Sequence, residues 1–136
     1  MMKETALVAV LLALCIPALA VNMPSMVGNW TGTVHGVGYL KNTDYQTTGK
    51  PDYWDDKYTI VIDIQNGTRF SGKMVRDVNP LNKVVVLGVI DSDNITLVDE
   101  SGYYWGSLKS PKEMELFGQE VGIDYMDVGA GTFTKE

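Results

Sequence analysis

The chain is poor in the residues on which most protein chemistry depends. It has one cysteine, Cys15, and one histidine, His35, in 136 residues. Cys15 lies inside an apolar N-terminal run, so the rest of the chain offers neither a disulfide nor a thiolate. A lone histidine excludes a histidine-rich metal site, and no spacing gives His35 a partner for general-base work. Positive charge is also scarce. The 11 Lys and Arg stand against 17 Asp and Glu, a net charge of −6. Gripping nucleic acid or anionic lipid requires a surplus of Lys and Arg, so neither is an expected partner. No stretch sustains a helical period. No Gly-x-Ser-x-Gly, phosphate-loop or zinc-ligand spacing occurs. No cofactor or metal is expected, and an enzyme is the least favoured class.

What is present begins with the N-terminus. Met1-Met2-Lys3 carries an early positive charge, an apolar run extends from Ala6 to Leu19, and Ala18-Leu19-Ala20 closes it. A charged start, a short apolar core and a small-x-small exit make a secretory signal peptide. Pro17 and the lack of a flanking charge cluster argue against a retained membrane anchor. Leu14 stands before Cys15 where a lipoprotein signal wants a small residue. The expected layout is a leader over 1–20 and one β-barrel domain over 21–136. The product is expected to be secreted or held in the cell envelope, with no membrane span after cleavage. Export suits the sequons at Asn29, Asn66 and Asn94, which are glycosylation candidates. Asn66 and Asn94 fall in expected turns; Asn29 sits beside an expected core tryptophan.

Strand signals recur at short, regular spacing. The first strand covers about 29–39, with Trp30 inward. Over 58–76, Tyr58, Ile60, Ile62 and Ile64 share one side of a hairpin, and Phe70, Gly72 and Met74 answer them. Keeping apolar residues on one face predicts a three-residue loop, Gln65 to Gly67, with Ile62 opposite Phe70 and Gly67 left-handed. The next pair sets Ile90 opposite Ile95 and Gly88 opposite Leu97, and a following turn sets Leu97 opposite Tyr104. Ser110-Pro111-Lys112 turns into a strand with Met114 and Leu116 inward, and a last strand over 130–135 turns Phe133 inward. Eight strands joined mostly by short hairpins predict an all-β, single up-and-down antiparallel barrel, since closure removes exposed edges. Glycines inside the strands, among them Gly32, Gly36, Gly72, Gly88, Gly106 and Gly118, are read first as bending points and second as room for a ligand.

One segment breaks the alternation. Residues 41–56 are polar, carry Gly49 and Pro51, and predict a long loop over one barrel end. Aromatics gather near it, at Tyr39, Tyr45, Tyr53 and Trp54, and again at Tyr103, Tyr104 and Trp105. Aromatic faces suit sugars, apolar ligands and protein partners. Tyr39, Tyr53, Trp54, Tyr104 and Trp105 are therefore the candidate ligand-binding residues. Asp52, Asp55 and Asp56 lack the alternate spacing of a calcium loop and read as a solvated acidic stretch. Glu113 and Glu115 read as an outward polar face rather than a glycosidase pair. His35 reads as a surface residue.

The motifs carry a resemblance. Gly28-Asn29-Trp30 at the first strand is a Gly-x-Trp start similar to that of lipocalins and avidins. The run Gly129-Ala130-Gly131-Thr132-Phe133-Thr134-Lys135 resembles the last strand of streptavidin-like proteins. Phe70-Ser71-Gly72 and Leu87-Gly88-Val89-Ile90-Asp91-Ser92 resemble that family's middle strands. The whole also resembles small uncharacterised exported proteins of methanogenic archaea and bacteria. The calycin resemblance implies a ligand-binding barrel, but not biotin. Gly32, Gly36, Met74 and Gly131 stand where avidins place polar biotin contacts, and only Trp105 matches a stacking tryptophan. Against lipocalins, the chain is expected to lack the basic residue that pairs with the first-strand Trp, as well as the disulfides and the C-terminal helix. Two functions follow as expectations. One is non-catalytic binding of a small, partly apolar ligand; the other is a packed barrel serving as an envelope or extracellular protein-interaction module. Oligomeric state is left open.

Overall fold

The computed structural model describes residues 23–40 and 50–136. The leader, Cys15 and the 41–49 part of the expected loop, including Tyr45, lie outside the described residues. Eight strands follow in chain order: β1 (Gly28–Leu40), β2 (Asp52–Asn66), β3 (Arg69–Arg76), β4 (Asn79–Asp91), β5 (Asn94–Val98), β6 (Gly102–Ser110), β7 (Glu113–Val121) and β8 (Tyr125–Lys135). Each pairs antiparallel with the next, and β8 closes onto β1. The all-β, eight-stranded up-and-down barrel expected from the spacing of the strands is what forms.

Alternation explains most of the core. Ile60 and Ile62 on β2, Val86 and Ile90 on β4, Ile95 and Leu97 on β5, and Met114 and Leu116 on β7 are all buried. Each such aliphatic side chain contributes roughly 1.5–3 kcal/mol by leaving water. Ile90 pairs with Ile95, Gly88 with Leu97, and Leu97 with Tyr104, as the register argument required.

The 58–76 hairpin is a correction. Asn66 pairs with Arg69, so the loop is Gly67-Thr68, and Ile62 faces Gly72 instead of Phe70. The register conflict is absorbed by a bulge between Ile62 and Ile64. The extra residue flips the strand's last turn. Ile64 swings outward, 64% exposed, and Gln65 swings inward. Gly67 is left-handed as expected, with φ of 61°.

The flipped Gln65 has a structural role. Its Oε1 accepts from the Met26 amide at 2.6 Å, and its Nε2 donates to the carbonyls of Pro24 and Gly67, each at 3.0 Å. The segment ahead of β1 is thereby drawn across one barrel end. Met26 is fully buried there against Trp30, whose indole donates to the Met26 carbonyl at 2.8 Å. Lys135 adds a third tie, donating to the Ser25 carbonyl at 2.9 Å with its ammonium 5.4 Å from the Trp30 ring. The first-strand tryptophan thus has a basic partner after all. It comes from the last strand, where sequence distance hid it. This pole of the barrel is closed.

The 41–56 loop is also shorter than expected. β2 begins at Asp52, and Gly38 to Val34 on β1 pair with Asp52 to Asp56. Alternation is present in this stretch, but its inward residues are Trp54 and Asp56, which mask it. β4 and β8 likewise start earlier than their apolar runs, at Asn79 and Tyr125.

Candidate functional site

The opposite pole is built from β-strand ends whose inward residues are glycine, aromatic or ionisable. One row crosses five strands in register: Trp54 on β2, Gly36 on β1, Gly129 on β8, Gly118 on β7 and Tyr104 on β6. A Cβ on Gly36 would collide with the Trp54 ring, and one on Gly118 with the Tyr104 ring. The glycines therefore let each ring lie against a neighbouring strand's backbone. Gly88 does the same for Phe70 and Leu97. Of the two readings of the strand glycines, these three make room, but for the protein's own rings.

Around and below that row lies a cavity of about 40 Å³, counted as the space a water's centre can occupy. Its wall is mostly apolar: Val34, Ile60, Met74, Val86, Leu97 and Leu116. Trp54, Tyr58 and Tyr104 border it, and Glu120 and Asp127 are among the residues that line it. The barrel is neither a wide calyx nor solidly filled. Among the described residues, it is packed at the plugged pole and hollow toward the other.

Ionisable groups crowd this mouth. Arg76, at the end of β3, donates to Asp56 in a close ion pair, and Asp56 is only 9% exposed. Burial opposes the Arg76 charge, but its hydrogen bond to Asp56 and the nearby Tyr58 and Glu120 hold its pKa above the ordinary value. The guanidinium lies 5.8 Å from the Trp54 ring and 6.0 Å from the Tyr58 ring. Burial pushes Tyr58 up to about 12, against the pull of Arg76. Asp127 is raised to about 6, first by burial and then by the facing Glu120, while Arg76 opposes the rise. Tyr104 is raised strongly, by burial and then by its hydrogen bond to Glu120.

Tyr104 sits between two acceptors. Its hydroxyl oxygen lies 2.8 Å from Asp99 Oδ2 and 2.7 Å from Glu120 Oε1. A hydroxyl has one hydrogen to give, so one carboxylate oxygen receives it and the other faces a lone pair.

The five sequence-named candidates separate. Trp54 and Tyr104 come together at the cavity. Tyr39 is half-buried near the end of β1. Tyr53 points outward, 77% exposed. Trp105 is also on the outer face, 39% exposed, stacked between Tyr103 and Phe117 with ring centroids 5.6 and 6.2 Å away. Glu120, Asp127 and Arg76 went unnamed in the sequence, Tyr58 was named only as an inward hairpin residue and Asp56 only as part of an acidic stretch. The signal was available in part, since each falls at an inward position of its strand's alternation. Asp55 and Asp56, read together as a solvated acidic stretch, have opposite fates. Asp56 is buried, whereas Asp55 is exposed and 2.6 Å from His35 Nδ1 on the outer surface. Glu115 faces outward and pairs with Lys109 at 3.0 Å. Asn29, Asn66 and Asn94 are all exposed.

No protein-family model and no curated protein matches the chain. Among solved structures, it is similar to EF1p2_mFAP2b bound to DFHBI, at 13% identity and a TM-score of 0.47 over 81% of this chain and 93% of that one. It is also similar to a redesigned β-barrel, at 13% identity and a TM-score of 0.48 over 81% of this chain and 90% of that one. A protein with unknown function of the DUF3598 family from Nostoc punctiforme matches at 10% identity and a TM-score of 0.48, over 82% of this chain and 48% of its own.

Proposed function

We propose that this is an exported, non-catalytic barrel that binds a small, partly apolar molecule at its open pole. The observation that carries this reading is the asymmetry of the interior. One pole is sealed by Met26, Trp30 and Gln65, while the other keeps an apolar cavity under a rim of aromatic and ionisable side chains. Of the polar groups there, Asp56 is buried and paired with Arg76, whereas Glu120 and Asp127 are half-buried and line the cavity. Export rests on the leader over 1–20, and the calycin likeness rests on the Gly28-Asn29-Trp30 start and the terminal Thr-Phe-Thr-Lys run.

The test is native mass spectrometry of the protein taken from the envelope or medium of its own host. An added small mass that leaves on denaturation, and that is missing from a Val34→Phe variant, supports the reading. Val34 lines the cavity, so a phenyl group there fills it. A bare mass for both proteins overturns it. The same spectrum reads leader cleavage and glycan occupancy at Asn29, Asn66 and Asn94.

A second reading, a module for an envelope protein partner, has its own observation. The stack Tyr103, Trp105 and Phe117 is exposed, and an outer groove runs beside it along Val37, Tyr53, Val128 and Ala130. Trp105→Ser weakens partner capture in that case and leaves any cavity-bound mass unchanged.

A further inference from the structure

The cavity's own charges go further and specify a ligand class. We infer that the molecule it takes is a small organic cation: an ammonium group on a compact apolar body. This rests on the cup reading above and deepens it.

The wall determines the sign. Glu120 and Asp127 line the cavity, and among the described residues no cationic side chain does. Arg76, at the rim, is paired with Asp56; its charge also reaches Glu120 and Asp127 but leaves Asp127 raised. Asp99 adds another carboxylate behind Tyr104 and competes with Glu120 for its one hydroxyl hydrogen. An ammonium brings three donors to such a place and no acceptor. It offers Glu120 a donor when Tyr104 gives its hydrogen to Asp99, which already accepts from Ser101 and Gly102, and it relieves the repulsion between Glu120 and Asp127. The rings of Trp54, Tyr58 and Tyr104 border the same space, and aromatic faces attract cations.

The wall also argues for an organic cation over a metal ion. Among the described residues, no group of three or more His, Cys, Asp or Glu is arranged to hold a metal. Val34, Ile60, Val86, Leu97 and Leu116 offer nothing to a bare ion but cover a hydrocarbon body well. The 40 Å³ open to a water's centre, extended by a water's radius, seats roughly one small ring or branched alkyl group.

The test uses three probes of nearly one shape: benzylammonium, benzyl alcohol and benzoate. Their affinities are measured by calorimetry at pH 7.5 on the wild type, on Glu120→Gln/Asp127→Asn and on Val34→Phe. The expected result is benzylammonium at least tenfold tighter than benzyl alcohol, with benzoate weaker than both. In the double variant the ammonium preference falls to within twofold, while the alcohol is retained. Val34→Phe loses all three probes although its acidic surface is untouched, which separates the cavity from non-specific attraction to an acidic protein. Equal binding of ammonium and alcohol by the wild type, lost in Val34→Phe, overturns the cation assignment and leaves the cup reading standing. Binding that survives Val34→Phe, or no binding of any probe, overturns both.

Discussion

Asp127 offers a prediction that needs no ligand. Its carboxyl titrates at about 6 in the fold against an ordinary 3.8, because burial and the facing Glu120 both disfavour its charge. A carboxyl raised by folding holds its proton more tightly folded than unfolded. Its contribution to stability is therefore complete below the unfolded value and is lost as pH rises through about 6. Fully expressed, a shift of this size corresponds to roughly 3 kcal/mol at 1.36 kcal/mol per unit. Asp127 is only half-buried, so solvent screening reduces this to about 1 kcal/mol. Asp127→Asn keeps the acceptor that takes the Glu120 amide and removes the charge. Urea unfolding followed by tryptophan fluorescence, at intervals from pH 4 to pH 8, gives both curves. The two proteins should be nearly equal below about pH 4, and the variant should be more stable by about 1 kcal/mol at pH 8, with the divergence developing between 3.8 and about 6. Parallel curves, or a variant that is the less stable one at pH 8, would refute the account of the mouth as a place where negative charges crowd.

Three further outcomes follow from the packing. Gln65→Ala removes three hydrogen bonds holding the segment across the closed pole; it should cost about 1–3 kcal/mol and speed hydrogen exchange at the Met26 amide. Gly88→Ala drives a methyl into Phe70 and Leu97 and should cost about 1–3 kcal/mol by denaturant unfolding, although the backbone there is ordinary. Arg76→Met leaves Asp56 buried without its cation and should cost about 2–4 kcal/mol. Adding Asp56→Leu should recover most of that loss, and a double-mutant cycle reads the coupling directly.

The architecture was legible because closure and alternation leave little freedom. Ile90 opposite Ile95 and Leu97 opposite Tyr104 followed from keeping apolar residues on one side. That same rule misplaced the 58–76 hairpin, because it allowed no extra residue. The bulge at Ile62/Ile64 exposes one isoleucine so that Gln65 can reach the pole-closing segment, and only tertiary structure reveals that trade. The site was half legible. Trp54 and Tyr104 stood out as aromatics, whereas Glu120 and Asp127 looked like the surface acids of any acidic chain. Their inward position follows from Leu116 and Phe133, two and three alternations away on the same strands. A hydrophobic pattern hides the charged residues that a hollow barrel end admits. Trp105 and Tyr53 failed as cavity candidates by one residue of register each, which on a strand is the difference between inside and outside.

The closed pole has a consequence for how this molecule can be held. The segment entering β1 and the end of β8 meet there: Lys135 reaches back to Ser25, and the Glu136 amide donates to the Asn29 carbonyl. Anything joined to the chain at either side, whether a tether, a tag or a solid support, departs from that one pole. Among the described residues, the rim of Trp54, Tyr58 and Tyr104 then faces away from the attachment, like a bowl on a stem.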